Sequence, residues 1–248
     1  MTNEMNIRIR QPRINRTLFL TGIVDEYSTT YLMSMIDAIN REQEEIDLVN
    51  SERIQAINKS VAVVLPDTKA SNEMEKGSIL LKLKTEPVEP IELHIMTSGG
   101  MVEEGLALAN VIRTSAVPVY AFIHFAHSMG FIVASACDYR YGYPTTRMMT
   151  HDMGGYMSGT NEQMERTMIE RNVLRELADM VIVENTGLTK EDLDEINKNV
   201  QDRYFTRDEL LKYNLVDEIL KYNKAEHIVT SEMKEAPEKD DKDEPDNN

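Results

Sequence analysis

The chain alternates strand-like and helix-like runs after Pro90, and this alternation constrains its fold more than any other feature of the sequence. In "IELHIM" (91–96) hydrophobicity alternates with the period of a strand, whereas "MVEEGLALANVIRTS" (101–115) carries apolar residues at helical spacing. The strand-like "VPVYAFI" (117–123) then precedes "FAHSMGFIVASAC" (125–137), an apolar run long enough for a buried helix. Strands that alternate with helices predict an α/β fold with a largely parallel sheet.

The N-terminal third of the chain predicts one further strand and helix, followed by an irregular segment. "RTLFLTGIV" (16–24) is rich in β-forming residues, and "STTYLMSMIDAINREQE" (28–44) has helical spacing with Ser28 or Thr29 as its N-cap. Residues 45–89 combine an apolar run, a polar loop and the strand-like "SILLKLK". We interpret residues 45–89 as a hairpin-sized insertion.

The C-terminal half predicts a strand and then the longest helix of the chain. "YRYGYPTTRMMTHDMGG" (139–155) contains the strand. The helix opens on a capping box formed by Thr160 and Gln163, and Gly187 suits its C-cap. Its apolar stripe consists of Met164, Met168, Leu174 and Leu177. Two shorter helices follow, each with a Thr-x-x-acidic cap.

We predict three parts along the chain: a short N-terminal segment (1–16), one domain (17–228) and an acidic tail (229–248). Residues 232–248 contain eight acidic and three basic residues and almost nothing apolar. Such a composition does not offset the entropy of ordering, so the tail is expected to be disordered.

Composition and charge limit the kinds of partner and the cellular compartment that fit the chain. The 248 residues carry a formal net charge of −16 and one cysteine, Cys137. The acidic balance disfavours nucleic acid as a partner, because phosphate neutralisation needs clustered Lys and Arg. A single cysteine excludes an internal disulfide and suits a reducing compartment. Because the sequence has neither a signal peptide nor a membrane-length run of about 20 apolar residues, we predict a soluble cytoplasmic protein without membrane contact.

Two predicted strand-to-helix turns, at Gly99-Gly100 and at Ser128-Met129, are the clearest indications of chemistry. Free N–H groups at a helix start form a pocket for negative charge, and a hydroxyl beside them gives the arrangement that acyl transfer needs. The context x-Ser-x-Gly is similar to a nucleophile elbow, although Ala126 stands where that motif has its first glycine. Taken alone, a serine here is more often an N-cap, and a glycine pair after a strand is usually a turn.

A serine nucleophile needs a base and a group that orients the base. His151 follows a predicted strand, where its side chain can emerge at the end of a sheet. Of the other histidines, His94 and His124 fit a sheet face, His127 lies in the serine turn, and His227 lies near the tail. Spacing leaves four acids open: Asp138, Asp152, Asp202 and Asp217. A zinc site would have to combine residues that match no familiar ligand spacing: His124, His127, Cys137 and His151.

Five blocks occur in the order and near the spacing of one known family: "TSGGMVEEGLALANVI", "AHSMGFIVASA", "RMMTHDMGG", "ENTGLTKEDLDEI" and "DRYFTRDELLKYNLVDEIL". Over residues 91–222 the chain resembles the ClpP family, the proteolytic subunits of ATP-dependent Clp proteases. "RTLFLTGIVDE" near the start adds a further match.

The resemblance implies roles for five residues. Ser128 corresponds to the nucleophile in the family's Ala-Ser-Met-Gly block, and His151 to the general base in its Met-Ile-His-Gln-Pro block. Asp202, in "DRYFT", corresponds to the acid that orients this base. The N–H groups of Gly100 and Met129 correspond to the oxyanion hole. No cofactor is implied for this chain, because ATP would be used by a partner unfoldase.

The resemblance also implies a fold and an assembly. The family fold is a ClpP/crotonase-like spiral of ββα units with a protruding handle. The handle consists of a Gly-rich strand and a helix, which here match "GGYMSG" and the helix over 160–186. Heptameric rings, stacked as a tetradecamer, would enclose the active sites and receive unfolded chains from an AAA+ unfoldase. The short start and the insertion at 45–89 depart from the family where such an unfoldase would dock. Together with the tail, these departures suit a phage-borne member.

The sequence is compatible with three other functions. A ClpP-like phage head-maturation protease would cleave scaffold and capsid proteins without an ATPase. A crotonase-type hydratase or lyase would bind acyl-CoA at the same two turns. An inactive structural subunit would complete a ring with an active paralogue. The joint presence of Ser128, His151 and Asp202 disfavours the last two.

Overall fold

Strands and helices alternate along the chain as the hydrophobic periodicity predicts. The computed structural model describes residues 12–64, 88–155, 157–198 and 202–221, without the side chains of 57–64. The strands are β1 (Thr17–Val24), β2 (Ile91–Gly100), β3 (Val119–His127), β4 (Tyr139–Thr150), β5 (Arg203–Tyr204) and β6 (Glu218–Ile219). The helices are α1 (Glu26–Val64), α2 (Val102–Arg113), α3 (Met129–Ser135), α4 (Asn161–Asn185), α5 (Lys190–Lys198) and α6 (Arg207–Lys212).

The strands form one mixed sheet in which β1 to β4 are parallel neighbours. β5 pairs with the end of β4 in the antiparallel sense, and β6 pairs with β4 in the parallel sense. The largely parallel α/β sheet is thus confirmed. Because β2, β3 and β4 are parallel, the residues that follow them meet at one edge of the sheet, where α/β proteins commonly bind ligands.

The core lies between one face of the sheet and the helices α1, α2 and α3. Every residue of α3 is buried, as the apolar run predicts. The fully buried side chains include Leu20, Ile36, Ile95, Ile112 and Phe131. Burial of each such side chain contributes about 1.5–3 kcal/mol, so the turn that precedes α3 is attached to a rigid part of the molecule.

The opposite face of the sheet carries a row of stacked rings across four strands: Phe19, His94, Phe122 and Tyr141. His124 stacks on both His94 and Tyr143. His94 and His124 therefore lie on a sheet face, as predicted.

The first helix is longer than predicted, and the interpretation of residues 45–64 as part of a hairpin-sized insertion is wrong. α1 continues without interruption to Val64. Ile46 is buried, but the side chains that follow it as far as residue 56 are exposed or half-buried. A helix that leaves the core shows no core-facing stripe, so periodicity gives no signal for it. The remainder of the insertion, residues 65–87, lies outside the described residues.

α4 begins at the predicted capping box and packs on the body by its C-terminal part. Thr160 Oγ1 accepts a hydrogen bond from the N–H of Gln163, and Gln163 Oε1 accepts one from the N–H of Thr160. Its buried residues are Ala178, Asp179, Val181 and Ile182. Of the predicted stripe, Leu174 packs against the core, whereas Met168 is 51% and Leu177 42% exposed. The first half of α4 therefore stands away from the core of this chain.

Two details at the ends of α4 differ from expectation. The glycine-rich segment before the helix does not form a strand at residues 154, 155 and 157–159, because no segment in the described part of this single chain pairs with it. At the other end the C-cap residue is Thr186. Gly187 instead donates its N–H to the carbonyl of Tyr213 at 2.7 Å, which ties α4 to the segment after α6.

The remaining expectations concern the ends of the chain. His227 and the acidic tail lie outside the described residues, as do residues 1–11 of the N-terminal segment. The domain boundaries at 17 and 228 stay predictions. Among the described helices, none is both long and apolar enough to span a bilayer.

Candidate active site

Ser128 occupies the turn between β3 and α3 in a strained backbone conformation. Its φ of 53° and ψ of −120° lie in a region that residues other than glycine rarely adopt, at a cost of about 1–3 kcal/mol. Its N–H donates to the carbonyl of Met149 on β4 at 2.9 Å, which fixes the turn against the next strand. Ser128 is the N-cap residue of α3, but its side chain makes no capping hydrogen bond. Helix capping therefore does not account for the hydroxyl.

His151 meets this hydroxyl from the end of β4. Its Nε2 lies 2.8 Å from Ser128 Oγ. The contact follows from the sheet, because β3 and β4 are parallel with His127 aligned to Met149, and the next residues emerge at the same edge. Both side chains are half-buried. An imidazole nitrogen at this distance can accept the proton of a serine hydroxyl.

Glycines allow the turns after β2 and β3 to approach each other closely. A Cβ on Gly99, whose φ is +99°, would lie 2.7 Å from Ser128 Cβ and 2.9 Å from the backbone nitrogen of Met129. A Cβ on Gly130 would lie 2.3 Å from Cγ2 of the buried Thr97. Thr97 Oγ1 accepts the N–H of Gly99 and donates to a carbonyl of β1. The sequence reasoning missed Thr97, whose only signal is a hydroxyl residue just before the glycine pair.

The predicted oxyanion hole uses the N–H groups of Gly100 and Met129. Met129 starts α3, so its N–H belongs to the first turn, which has no intrahelical acceptors. Its side chain packs closely against Gly105 of α2, where an added Cβ would lie 2.3 Å from Met129 Cγ. Gly100 lies beside Val24 of β1, one residue beyond the glycine that contacts the serine turn. The oxyanion role of both residues stays a prediction.

Three of the four candidate acids have other partners. Asp138 Oδ2 accepts the N–H of the first residue of β3 at 2.7 Å. Asp217 Oδ2 accepts the N–H of Arg140 at 2.7 Å and lies 3.3 Å from its guanidinium. Asp152 forms an ion pair with α4. These contacts hold strand ends and loops in place and occupy the carboxylates.

Asp202 is the fourth acid, and it directly precedes β5. The ladder between β4 and β5 ends with Arg203 opposite Thr150, and paired Cα atoms in antiparallel strands are about 4.5–5.5 Å apart. His151 and Asp202 are therefore the residues directly beyond the last pair of this ladder. Asp202 is exposed, and the described contacts include no hydrogen bond between it and His151. Each residue thus adjoins the end of the β4–β5 ladder, and no hydrogen bond joins their side chains among the described contacts.

His127, the neighbour of the serine, makes a different set of contacts. Its ring packs edge-on against Tyr204, and its buried Nε2 has no hydrogen-bond partner among the described residues. Burial lowers the pKa of His127, and the charge of Arg147 lowers it further, whereas the charge of Asp202 opposes both effects. Asp202 thus acts electrostatically on the sheet edge where Ser128 lies.

Among the residues that the structure describes, Cys137 and the histidines do not form a group that could hold a metal ion. Cys137 is buried, and burial raises the pKa of its thiol to about 12. A thiolate is the form that binds metals, and it is scarce at neutral pH for such a group. Within the described ranges, no group of three or more His, Cys, Asp or Glu side chains could hold a metal ion.

The sheet, the strained turn and the Ser128–His151 contact define an α/β protein with a serine–histidine pair at the carboxyl edge of a parallel sheet. The family model of Clp protease matches residues 42–223 of the chain. The chain therefore belongs to the Clp protease family, and its α/β fold is the fold of that family.

Individual relatives agree with this assignment at modest identity. An "ATP-dependent Clp protease proteolytic subunit 2" of Chlamydia trachomatis serovar D is 25% identical over 193 residues, which cover 75% of this chain and 91% of the relative. The protein of the same name from Chlamydia muridarum gives the same identity and coverage. That of Rhodococcus jostii is 32% identical over 145 residues, or 56% of this chain and 72% of the relative. The chain is similar to these peptidase subunits along most of their length.

Proposed function

We propose that the protein is a serine endopeptidase of the ClpP type, which hydrolyses unfolded polypeptides inside an oligomeric chamber. The observation that carries this proposal is the 2.8 Å contact between Ser128 Oγ and His151 Nε2. The hydroxyl is directed to the imidazole instead of capping its own helix, as nucleophilic catalysis requires. Membership of the Clp protease family supports a peptidase.

The reaction is an acyl transfer in two steps. Ser128 Oγ attacks the scissile carbonyl carbon while His151 Nε2 takes the hydroxyl proton, and the N–H groups of Gly100 and Met129 bind the oxyanion. The imidazolium gives this proton to the leaving amine as the C–N bond breaks, which leaves an acyl-serine ester. Water, deprotonated by His151, then attacks the ester carbonyl carbon, and the imidazolium returns the proton to Ser128 Oγ as the acyl C–O bond breaks. Asp202 accepts a hydrogen bond from the other ring nitrogen and stabilises the imidazolium.

The proposed setting is a pair of stacked heptameric rings in the cytoplasm, fed by an AAA+ unfoldase that uses the ATP. The relatives are named as proteolytic subunits of an ATP-dependent protease, which supports an ATPase partner. Exposed apolar side chains of α4, such as Met168, Ile169 and Val173, support self-association, because large exposed apolar patches usually meet a partner. Substrates would bind as extended strands beside Gly100 and Met101, since backbone pairing tolerates many side-chain sequences.

Covalent labelling by a fluorophosphonate tests the proposal directly. We expect one adduct per subunit by intact mass in the wild type and none in Ser128→Ala, because only a serine activated by a base is phosphonylated at useful rates. Peptide mapping of the wild-type adduct identifies the modified residue. An unlabelled wild type that sediments as rings would contradict the proposal and favour the inactive structural subunit. Acyl-CoA binding by that unlabelled protein would favour the crotonase-type activity.

Gly99→Ala is expected to slow acylation by about 100-fold, because a Cβ there would displace the Ser128 turn and such misplacement costs about this factor. The rate of fluorophosphonate labelling measures the effect. Gly22→Ala is the matched control, since Gly22 also has a positive φ of +78° but has no atom within 4 Å of an added Cβ. The control should lose about 1 kcal/mol of stability and keep its labelling rate. Equal rates in the two variants would show that close packing at Gly99 does not position the serine.

A further inference from the structure

Arg171, on the first half of α4, binds the loop that carries His151. Its Nη2 donates to Asp152 Oδ2 at 2.6 Å, and both Nε and Nη2 donate to the carbonyl of Met153, at 3.1 and 2.8 Å. Asp152 Oδ1 in turn accepts the N–H of Met153 at 2.9 Å. One guanidinium therefore holds a carboxylate and a carbonyl from the two residues that directly follow the histidine.

Little else restrains this loop in the described part of the chain. β4 ends at Thr150, and residues 151–155 have no regular secondary structure. Apart from Arg171 and Asp152 itself, no described side chain forms a hydrogen bond with residues 152–155, although the side chain of Met153 packs against the core. The next residues, Gly154 and Gly155, have no atom within 4 Å of an added Cβ. The loop thus leaves the sheet into open space, with Arg171 as its polar anchor.

We infer that Arg171 is a positioning residue for His151, through the loop 152–153 that it binds. The inference rests on the proposed function, since it assigns Arg171 a part in the same reaction. It links α4 to the imidazole: when the guanidinium holds Asp152 and Met153, the Cα of His151 is fixed on both sides, by β4 before it and by the clamped loop after it. Nε2 then stays within hydrogen-bond distance of Ser128 Oγ.

We call the contact of Arg171 with Asp152 and Met153 the clamp, and its chemistry explains why arginine is needed. A planar guanidinium presents several donors in a fixed fork and can bind two acceptors at once, whereas an ammonium acts as a point charge. The two acceptors come from consecutive residues, so the fork fixes the backbone between them. The resemblance to ClpP adds a reason. The family's Met-Ile-His-Gln-Pro block has a proline two residues after the histidine, and this chain has Met153 at that position. A side-chain clamp can supply rigidity that a proline ring would otherwise give.

The test compares Arg171→Gln with Arg175→Gln in the full-length, assembled protein. Arg175 lies one turn further along α4 with similar exposure, but it pairs with Asp194 at 2.9 Å and forms no described hydrogen bond or ion pair with the loop. We expect Arg171→Gln to lower kcat for an unstructured fluorogenic peptide by about 10- to 100-fold with KM unchanged. Arg171→Lys should recover part of the loss, and Arg175→Gln should behave as the wild type.

Amide hydrogen exchange of residues 151–155 supplies a readout that does not need activity. Exchange there should be faster in Arg171→Gln than in Arg175→Gln, while the strand β4 exchanges alike in both. Equal kcat values in the two variants, equal exchange at 151–155, or loss of ring assembly in Arg171→Gln alone would each overturn the inference. Failure of the proposed function looks different: the wild type itself would not react with the fluorophosphonate, whatever the exchange rates show.

Discussion

Ser128→Ala is expected to lower peptide hydrolysis by about a millionfold and to leave the fold and assembly intact. Removal of a nucleophile that acts together with its base abolishes the covalent route, and only the effects of binding and of the oxyanion donors persist. The backbone of the turn is held by the N–H of Ser128 and by the burial of α3, neither of which needs the hydroxyl. Steady-state turnover of an unstructured peptide, with sedimentation at the same protomer concentration, measures both parts.

Ser128→Gly separates the strain at this turn from its chemistry. Both variants lack the hydroxyl and should be equally inactive. Glycine adopts a φ of 53° freely, whereas alanine keeps the penalty that serine carries. The glycine variant is therefore expected to be more stable than the alanine variant by about 1 kcal/mol, a rise in Tm of about 2–4 °C. Normal turnover in either variant would refute the nucleophile, and equal Tm values would refute the strain.

The parts of the fold that sequence reasoning predicted are those that bury one face. β2 and β3 alternate in burial along their length, so their period is visible in the sequence. Beyond Ile46, the side chains of α1 that the structure describes, as far as residue 56, include no buried one, so no apolar stripe indicates the helix there. The strands β5 and β6 are two residues long, too short for a period. They form because β4 offers them an edge for pairing, and this pairing depends on the tertiary structure and not on local sequence.

The residues of the candidate site also differ in whether the sequence alone predicts them. Ser128 and His151 follow neighbouring parallel strands, and the sheet brings them together, so their positions at strand ends made both residues candidates before the family resemblance assigned their roles. Asp202 follows His151 only after the whole of α4 and α5. Its place depends on the register of β5, which spacing does not encode, and only the family resemblance singled it out. The clamp by Arg171 was missed, because an arginine on the exposed part of a helix has no signature in the sequence.

Asp202→Asn is expected to lower kcat by about 10,000-fold, although the carboxylate makes no hydrogen bond to His151 among the described residues. An asparagine amide can donate to the ring nitrogen that should itself donate, which favours the wrong tautomer of the base. Asp202 and His151 directly adjoin the last pair of the β4–β5 ladder, so a contact between their side chains requires no change of fold. Turnover of the peptide substrate, together with the thermal unfolding of each variant, measures the effect.

Asp138→Asn and Asp217→Asn are the matched comparisons, because both carboxylates accept backbone N–H groups at the starts of β3 and β4. Loss of the charge weakens these bonds, so each variant should lose stability, by about 1–3 kcal/mol, and keep its kcat when folded. A drop in kcat for either of them that equals the drop for Asp202→Asn would remove the reason to assign the acid to Asp202. A normal kcat for Asp202→Asn would mean that His151 works without a carboxylate partner. The imidazole would then be oriented by its loop alone, and the clamp at Asp152 would carry that task.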